Sequence, residues 1–234
     1  MEKTLVVLAG GLATRLGKVT KKIPKSLIEI NDKPFILKQL ELFRKYKIQH
    51  VHFCLGHLGE MIQEVVDKSN FGKCIKITYS FDGDTALGTG GAVKKSLKYL
   101  SEVFFVTYGD SYLDINYSEI SQFFLKHADT DNGLMTVYKN DNKFDTSNVI
   151  IQNNRIFKYS KSNILETMNY IDYGLGILRK SHLKTYQNGE SFDLSEIYEK
   201  LADESKLLAY QSLKRFYEIG SFQGIRDLSY KLNP

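Results

Sequence analysis

The run TLVVLA, Thr4–Ala9, stops at two adjacent glycines, Gly10 and Gly11. A continuous apolar run rich in β-branched residues suits a strand buried on both faces, and such strands belong to parallel sheets covered by helices. Glycines directly after it let the backbone approach a ligand with no Cβ in the way. The chain then turns basic, with Arg15, Lys18, Lys21, Lys22 and Lys25 in close succession. The backbone amides of such a loop can form an anion nest, Arg15 can fork onto phosphate oxygens, and Lys25 can add a point charge. From the glycines alone, a plain turn beside a solvated basic face reads equally well. Lys18, Lys21 and Lys22 are read as solvating the loop.

The alternation that a parallel sheet requires continues from there. FILKQLELFRKY, Phe35–Tyr46, has helical spacing and follows Pro34, expected in its first turn. HVHFCL, His50–Leu55, predicts the next strand, Leu58–Lys68 a helix, and Ile75–Phe81 a strand. Gly90–Leu100 is amphipathic again, and Val103–Thr107 is a short apolar strand. The second half is less regular. Strands are expected at Leu134–Tyr138, Asn148–Gln152, Arg155–Tyr159, Tyr170–Leu178, Leu207–Gln211 and Phe216–Ile219, with Asn153–Asn154 as a hairpin turn. Helices are expected at Ser195–Glu204 and Phe222–Leu232. The fold class predicted is α/β, a doubly wound, mixed but mostly parallel, Rossmann-like sheet. One domain, 1–234, is expected, with a nucleotide-binding half at about 1–115 and a smaller mixed acceptor-binding half at about 116–234.

Bulk properties narrow the partners. A formal charge of +5, from 32 Lys+Arg against 27 Asp+Glu, fits phosphate-bearing small molecules and is too weak to argue for nucleic acid. Cys54 and Cys74 have neither metal nor redox spacing and are read as reduced thiols of a cytoplasmic protein. The charged start, Glu2 and Lys3, reads as the approach to a strand, not a signal peptide, and no apolar stretch is long enough for a membrane span. His50, His52, His57 and Cys54 are read as strand-filling or surface residues. His127–Gly133, HADTDNG, is read as a solvated helix-to-strand turn.

Three more stretches carry chemistry. LGTGGA, Leu87–Ala92, is a second glycine loop before a helix. YGDS, Tyr108–Ser111, puts Asp110 at the carboxyl end of an apolar strand, where ligands sit in open α/β sheets. A lone Asp after a strand is commonly a cap or turn residue, but beside two phosphate-ready loops an Mg²⁺ ligand is the better reading. YEIGS, Tyr217–Ser221, offers a second acid, Glu218. The first loop lacks the Gly-Lys-Ser/Thr of a Walker loop and the third glycine of a dinucleotide fingerprint.

The ordered set LAGGLATRL…PKSL, LGTGGA, YGDS and YEIGS resembles the nucleotidylyltransferases that make nucleoside-diphosphate sugars, over nearly all of residues 4–225. The resemblance implies attack by a phosphate monoester on the α-phosphorus of a nucleoside triphosphate, with pyrophosphate leaving and Mg²⁺ as cofactor. It implies that Leu8, Ala9, Gly10 and Gly11 frame the nucleotide together with Gly109. Leu87, Gly88 and Gly91 would pass close to the base and ribose, with Leu12 also near the base. Arg15 would hold the β- and γ-phosphates, and Lys25 would bridge the α-phosphate and the acceptor phosphate. Asp110 and Glu218 would hold Mg²⁺. Lys161 would contact the acceptor phosphate, in an acceptor set with Ser160, Asp172, Tyr173 and Gly174.

Three positions depart from the family pattern. Glu218-Ile219-Gly220-Ser221-Phe222 stands where relatives read Asp-Ile-Gly-Thr-Pro, which lengthens a metal ligand by one methylene. Ser160 stands where relatives carry a Glu that grips sugar hydroxyls. Asp172-Tyr173-Gly174 stands where relatives often have Asn-Ala-Gly. A carboxylate at Asp172 could hold an ammonium or a hydroxyl. The chain also resembles, at subfamily level, a capsule-pathway cytidylyltransferase of phosphoglutamine, which implies CTP as donor and a non-sugar acceptor. Two alternatives stay open: a hexose or heptose 1-phosphate with GTP, UTP or dTTP, and a catalytically degenerate nucleotide-sensing subunit. A choline cage from Tyr112, Phe144, Tyr159, Tyr170 and Tyr173 is disfavoured, because most aromatics in such a chain are core or surface. The oligomeric state and the nucleobase are not legible.

Overall fold

The structure, a computed structural model, describes residues 3–11, 22–83 and 85–233. Leu12, Arg15, Lys18 and Lys21, singled out above, lie outside the described residues. In chain order the elements are β1 (Thr4–Ala9), β2 (Glu29–Ile30), β3 (Lys33–Pro34), α1 (Phe35–Lys45), β4 (His50–Leu55), α2 (Gly59–Asp67), β5 (Lys76–Phe81) and α3 (Gly88–Ser96). There follow β6 (Val103–Tyr108), β7 (Ser111–Tyr112), α4 (Tyr117–His127), β8 (Gly133–Lys139), β9 (Val149–Gln152), β10 (Arg155–Tyr159) and β11 (Tyr170–Arg179). The last are α5 (Leu194–Asp203), β12 (Leu207–Ser212), β13 (Tyr217–Glu218) and α6 (Phe222–Leu232).

The contacts divide the chain into two units, each discontinuous in sequence. One holds residues 1–86, 107–114 and 216–234; the other holds 87–106 and 115–215. In the first unit β1, β4 and β5 run parallel in the order β5-β4-β1, with Thr4 opposite His50 and His50 opposite Lys76. Side chains along β1 from Thr4 to Leu8 and all along β4 are buried. This matches the doubly covered parallel strand that the apolar runs predict. The C-terminal segment joins this unit through a cluster of Ile28, Ile30, Phe35, Ile219 and Leu228. The second unit is mixed: β8 and β12 are parallel, while β11, β10 and β9 pair antiparallel, in the order β11-β8-β12-β10-β9. Asn153 and Asn154 have φ of 51° and 58°, the left-handed pair of a two-residue hairpin turn.

Two differences from the expected elements have local causes. Pro34 is the residue before α1, paired in the β2–β3 hairpin, and does not lie inside the first turn. α4, for which the sequence reading states no helix, buries Tyr117, Ile120, Ser121 and Phe124 and is capped by Asn116, whose side chain accepts from Ser118 N–H at 3.0 Å. Its start, Asn116-x-x-Glu119, is a capping pair that also bonds side chain to side chain at 2.7 Å. Among the described residues no helix is long and apolar enough to cross a membrane.

Candidate active site

In the first unit the end of β6 is pressed onto the end of β1. Gly109 N–H donates to Leu8 O at 2.8 Å, and a Cβ at Gly109 would stand 2.7 Å from Ala9 Cβ. Only glycine permits that approach. It brings Asp110 next to the end of β1, at the carboxyl ends of parallel strands. The 3₁₀ turn Lys25–Leu27 reaches the same place, where buried Ser26 donates from Oγ to Gly109 O at 3.0 Å. Next to it, Lys25 Nζ lies 2.8 Å from Asp110 Oδ2, with side chains 21% and 31% exposed.

Glu218 enters from the far end of the sequence. β13 pairs with β7, Glu218 opposite Ser111, and Ile219 N–H donates to Asp110 O at 3.0 Å. A Cβ at Gly220 would meet Glu218 Oε2 at 2.5 Å, Lys25 Nζ at 3.3 Å and Asp110 Oδ2 at 3.7 Å. Lys25, Asp110 and Glu218, more than a hundred residues apart at the extremes, thus converge around one glycine. Glu218 is also anchored: its Oε2 accepts Gly220 N–H, and its Oε1 accepts Ser221 Oγ–H at 2.7 Å.

Two carboxylates at one point are hard oxygen donors. Mg²⁺ is usually bound by one or two carboxylates plus substrate phosphates, and Asp110 with Glu218 fit that description. No group of three or more His, Cys, Asp or Glu suited to a metal occurs among the described residues. Two carboxylates fill only part of an octahedral Mg²⁺ shell, so substrate oxygens and waters would complete it.

The second unit holds the second glycine loop and the residues expected at the acceptor. The loop is occupied by its own chain. Gly90 N–H donates to Phe192 O at 2.9 Å, Phe192 N–H donates to Leu87 O at 3.1 Å, and Leu194 N–H donates to Thr89 Oγ1 at 2.8 Å. Gly88 has φ +68°, and Cβ atoms at Gly88 and Gly91 would collide with the backbone carbonyls of Phe192 and Glu190. These glycines therefore have a packing reason of their own.

Lys161 is exposed, and its Nζ lies 3.1 Å from Asp193 Oδ1. Asp193 caps α5: its carboxylate accepts Ser195 N–H at 2.8 Å, while Glu196 reaches back to Asp193 N–H at 3.0 Å. Burial works to raise the Asp193 carboxyl, but the Ser195 hydrogen bonds and the Lys161 ammonium outweigh it and hold it at about 2. Asp172 sits where β11 bulges against β8, and its Oδ1 accepts Gly174 N–H at 2.9 Å, with Gly174 at φ +89°. Burial raises the Asp172 carboxyl, opposed by the Gly174 amide, Lys161 and the Tyr159 hydroxyl. Tyr198 is pushed up by burial and by Asp172. Ser160 is buried and spends its hydroxyl oxygen on the Asn163 and Ser162 amides at 3.1 and 3.4 Å. Tyr173 is buried.

The geometry thus gathers Lys25, Asp110 and Glu218 with Leu8, Ala9 and Gly109 in one unit, and Lys161, Asp172, Tyr173, Gly174 and Ser160 in the other. Sequence reasoning missed Ser26 and Asp193. Asp193 had a legible signal, Asp-Leu-Ser-Glu, a capping box; Ser26 had none, since its bond is to a backbone carbonyl distant in sequence.

The nucleotidyl transferase family matches residues 4–233. The D-glycero-alpha-D-manno-heptose 1-phosphate guanylyltransferase of Campylobacter jejuni is 30% identical over 201 residues, 84% of this chain and 86% of that protein. The mannose-1-phosphate guanylyltransferase catalytic subunit beta of Danio rerio is 25% identical over 92% of this chain, which spans only 60% of that relative's length. Among solved structures, HddC from Yersinia pseudotuberculosis complexed with GMP-PN superposes with a TM-score of 0.80 at 24% identity, covering 99% of this chain and 100% of that one. The inositol-1-phosphate CTP transferase from T. maritima gives 0.76 at 21% identity, covering 98% of this chain and 95% of that one. The structures establish a shared fold, and the expected α/β class holds. The chain belongs to the nucleotidyl transferase family and is an enzyme of that class.

Proposed function

We propose that this enzyme transfers the nucleoside monophosphate of GTP to a sugar 1-phosphate of the heptose type and releases pyrophosphate. The observation that carries the chemistry is the meeting of Lys25, Asp110 and Glu218 around Gly220. The choice of donor and acceptor is supported by the Campylobacter relative, which matches 84% of this chain.

An acceptor phosphate oxygen attacks the α-phosphorus; one P–O bond forms, the bond to the β-phosphate breaks, and pyrophosphate leaves with its electron pair. A phosphate monoester is already largely dianionic near pH 7, since its second pKa is about 6. No proton has to be removed from the nucleophile, so the site needs no general base. The barrier lies in bringing two anions together, so positioning and fixed positive charge carry the catalysis. Lys25 is a compact ammonium held by Asp110 at the strand ends, free to exchange that carboxylate for phosphate oxygens. Arg15, outside the described residues, is assigned to the β- and γ-phosphates. Asp110 and Glu218 are assigned to Mg²⁺, which when bound would neutralise charge on the triphosphate oxygens. Lys161 is assigned to the acceptor phosphate, with Asp193 holding it in place meanwhile. The reading implies a cytoplasmic enzyme, where triphosphates are available.

A second reading, CTP with a non-sugar acceptor such as phosphoglutamine, is favoured by Ser160 and Asp172. Ser160 accepts from two amides and carries no charge, so it cannot take two hydroxyls of a sugar diol as a glutamate carboxylate would, while Asp172 presents a carboxylate. A pyrophosphate-release screen separates the two. GTP, CTP, UTP, dTTP and ATP are crossed with heptose and hexose 1-phosphates, phosphocholine and phosphoglutamine, with Mg²⁺. Turnover of GTP with the heptose supports the first reading. CTP with phosphoglutamine replaces it with the second. Nucleotide binding with no turnover for any pair would mean a sensing subunit.

A further inference from the structure

α1 presents Phe35, Ile36, Leu40, Leu42 and Phe43 to the core, and one polar side chain stands in that buried stripe: Gln39, with no exposed surface. A buried amide at such a position costs free energy unless its polar atoms are used. Both hydrogens of its Nε2 are. One goes to Tyr108 O at 3.1 Å, the other to Ser111 O at 2.7 Å. These two carbonyls bracket Gly109 and Asp110. The Gln39 amide therefore ties together the two ends of the turn that carries Asp110.

Three more backbone groups of that turn are held too: Gly109 N–H by Leu8 O, Gly109 O by Ser26 Oγ, and Asp110 O by Ile219 N–H. Gln39 is distinct among these in spanning the turn with one rigid, planar group. Among the described residues its buried Oε1 has no hydrogen-bond partner. An orphaned acceptor of this kind costs free energy, so stability alone is a poor reason to keep an amide here.

We infer that Gln39 is a positioning residue that fixes Asp110 for metal and triphosphate binding, through the carbonyls of Tyr108 and Ser111. The inference rests on the reading of Asp110 as a metal ligand. Removing both donors frees the ends of the turn, and the carboxylate then samples positions away from Glu218. A turn held this closely should lose metal affinity before it loses its fold.

The test uses the full chain with Gln39→Met, which keeps length and volume without donors, and Gln39→Glu, which keeps shape with fewer donors. Three quantities are read: the thermal midpoint without ligands, Mn²⁺ binding by electron paramagnetic resonance beside a non-hydrolysable GTP analogue, and the Mg²⁺ concentration for half-maximal pyrophosphate release. Both variants are expected to stay folded and to bind Mn²⁺ at least fivefold more weakly, with a matching rise in the Mg²⁺ requirement. A lowered midpoint with unchanged Mn²⁺ affinity overturns the proposal and leaves Gln39 a core residue, as does loss of folding in both variants. Asp110→Asn is measured alongside. If it leaves Mn²⁺ binding intact, the reading of Asp110 itself fails and takes Gln39 with it. If it abolishes binding while the Gln39 variants match the parent, only the Gln39 inference falls.

Discussion

Lys25 and Asp110 hold each other at 2.8 Å, and the two halves of that pair are not equivalent in their consequences. An ammonium placed where charge builds up in the transition state acts on rate more than on ground-state binding. Lys25→Ala is therefore expected to lower kcat by about a hundredfold or more, with a smaller rise in KM for the triphosphate. Steady-state kinetics across triphosphate concentrations check this, and a raised KM at unchanged kcat would contradict the role. Gly220 gives a sharper probe of the geometry. Its Cβ would enter the space shared by Glu218, Lys25 and Asp110, 3.3 Å from the Lys25 ammonium. Gly220→Ala should cut kcat/KM at least tenfold while the urea midpoint moves little. An alanine enzyme as active as the parent would mean that the three side chains do not act as one cluster.

At the scale of elements, α6 is coupled to the site through its cap. Ser221 accepts Gly224 N–H at 3.0 Å, as an N-cap, and donates to Glu218 Oε1 at 2.7 Å. Ser221→Ala should cost about 1 kcal/mol of stability by chemical denaturation, the usual worth of such a cap. It should also raise the Mg²⁺ requirement, because Glu218 loses one of its two anchors. A stability loss with no change in Mg²⁺ dependence would separate the cap from the site. The elements themselves were largely legible: β1, β4, β10 and α6 begin and end where periodicity places them. Apolar period and turn chemistry are local, and one sequence carries them. α4 was missed although Tyr117, Ile120, Ser121 and Phe124, the residues it buries, fall at helical spacing behind the Asn116–Glu119 cap. Asp110 and Glu218 could be singled out by their glycine neighbours, yet their convergence with Lys25 depends on the β7–β13 pairing across about a hundred residues. Such pairing leaves no local mark. The glycines of LGTGGA were legible as close-approach points, but what approaches Gly88 and Gly91 is Phe192 and Glu190 of the same chain, a fact of tertiary packing.

For the molecule as a whole, pH acts on stability through groups that folding buries. His50 and His52 lie on β4 facing Thr78 and Ser80 on β5. Thr78 Oγ1 is 2.7 Å from His50 Nε2 and 2.8 Å from His52 Nδ1, and Ser80 Oγ is 3.1 Å from His52 Nε2. A hydroxyl carries one proton, so it can donate to only one of the two rings, and the other must donate to it. Two neutral imidazoles of suitable tautomers satisfy this arrangement. Burial, reinforced by the charge of His50, pushes His52 down to about 4 from an ordinary value near 6.5. A lowered histidine favours the neutral form when folded, so its contribution is complete above the unfolded value and is lost as pH falls from about 6.5 to 4. Over that window the unfolded chain binds the proton first, and stability declines with acidification. The ring is fully buried, and each pKa unit corresponds to 1.36 kcal/mol, so the loss between pH 7 and 4.5 should be about 2 kcal/mol from this group. Urea unfolding at those two pH values, for the parent and for His52→Gln, measures it. The glutamine can bond both hydroxyls but cannot titrate, so its stability should fall less on acidification, by about that amount. If parent and variant lose stability equally, His52 does not set the acid response, and the carboxylates of the molecule account for it instead.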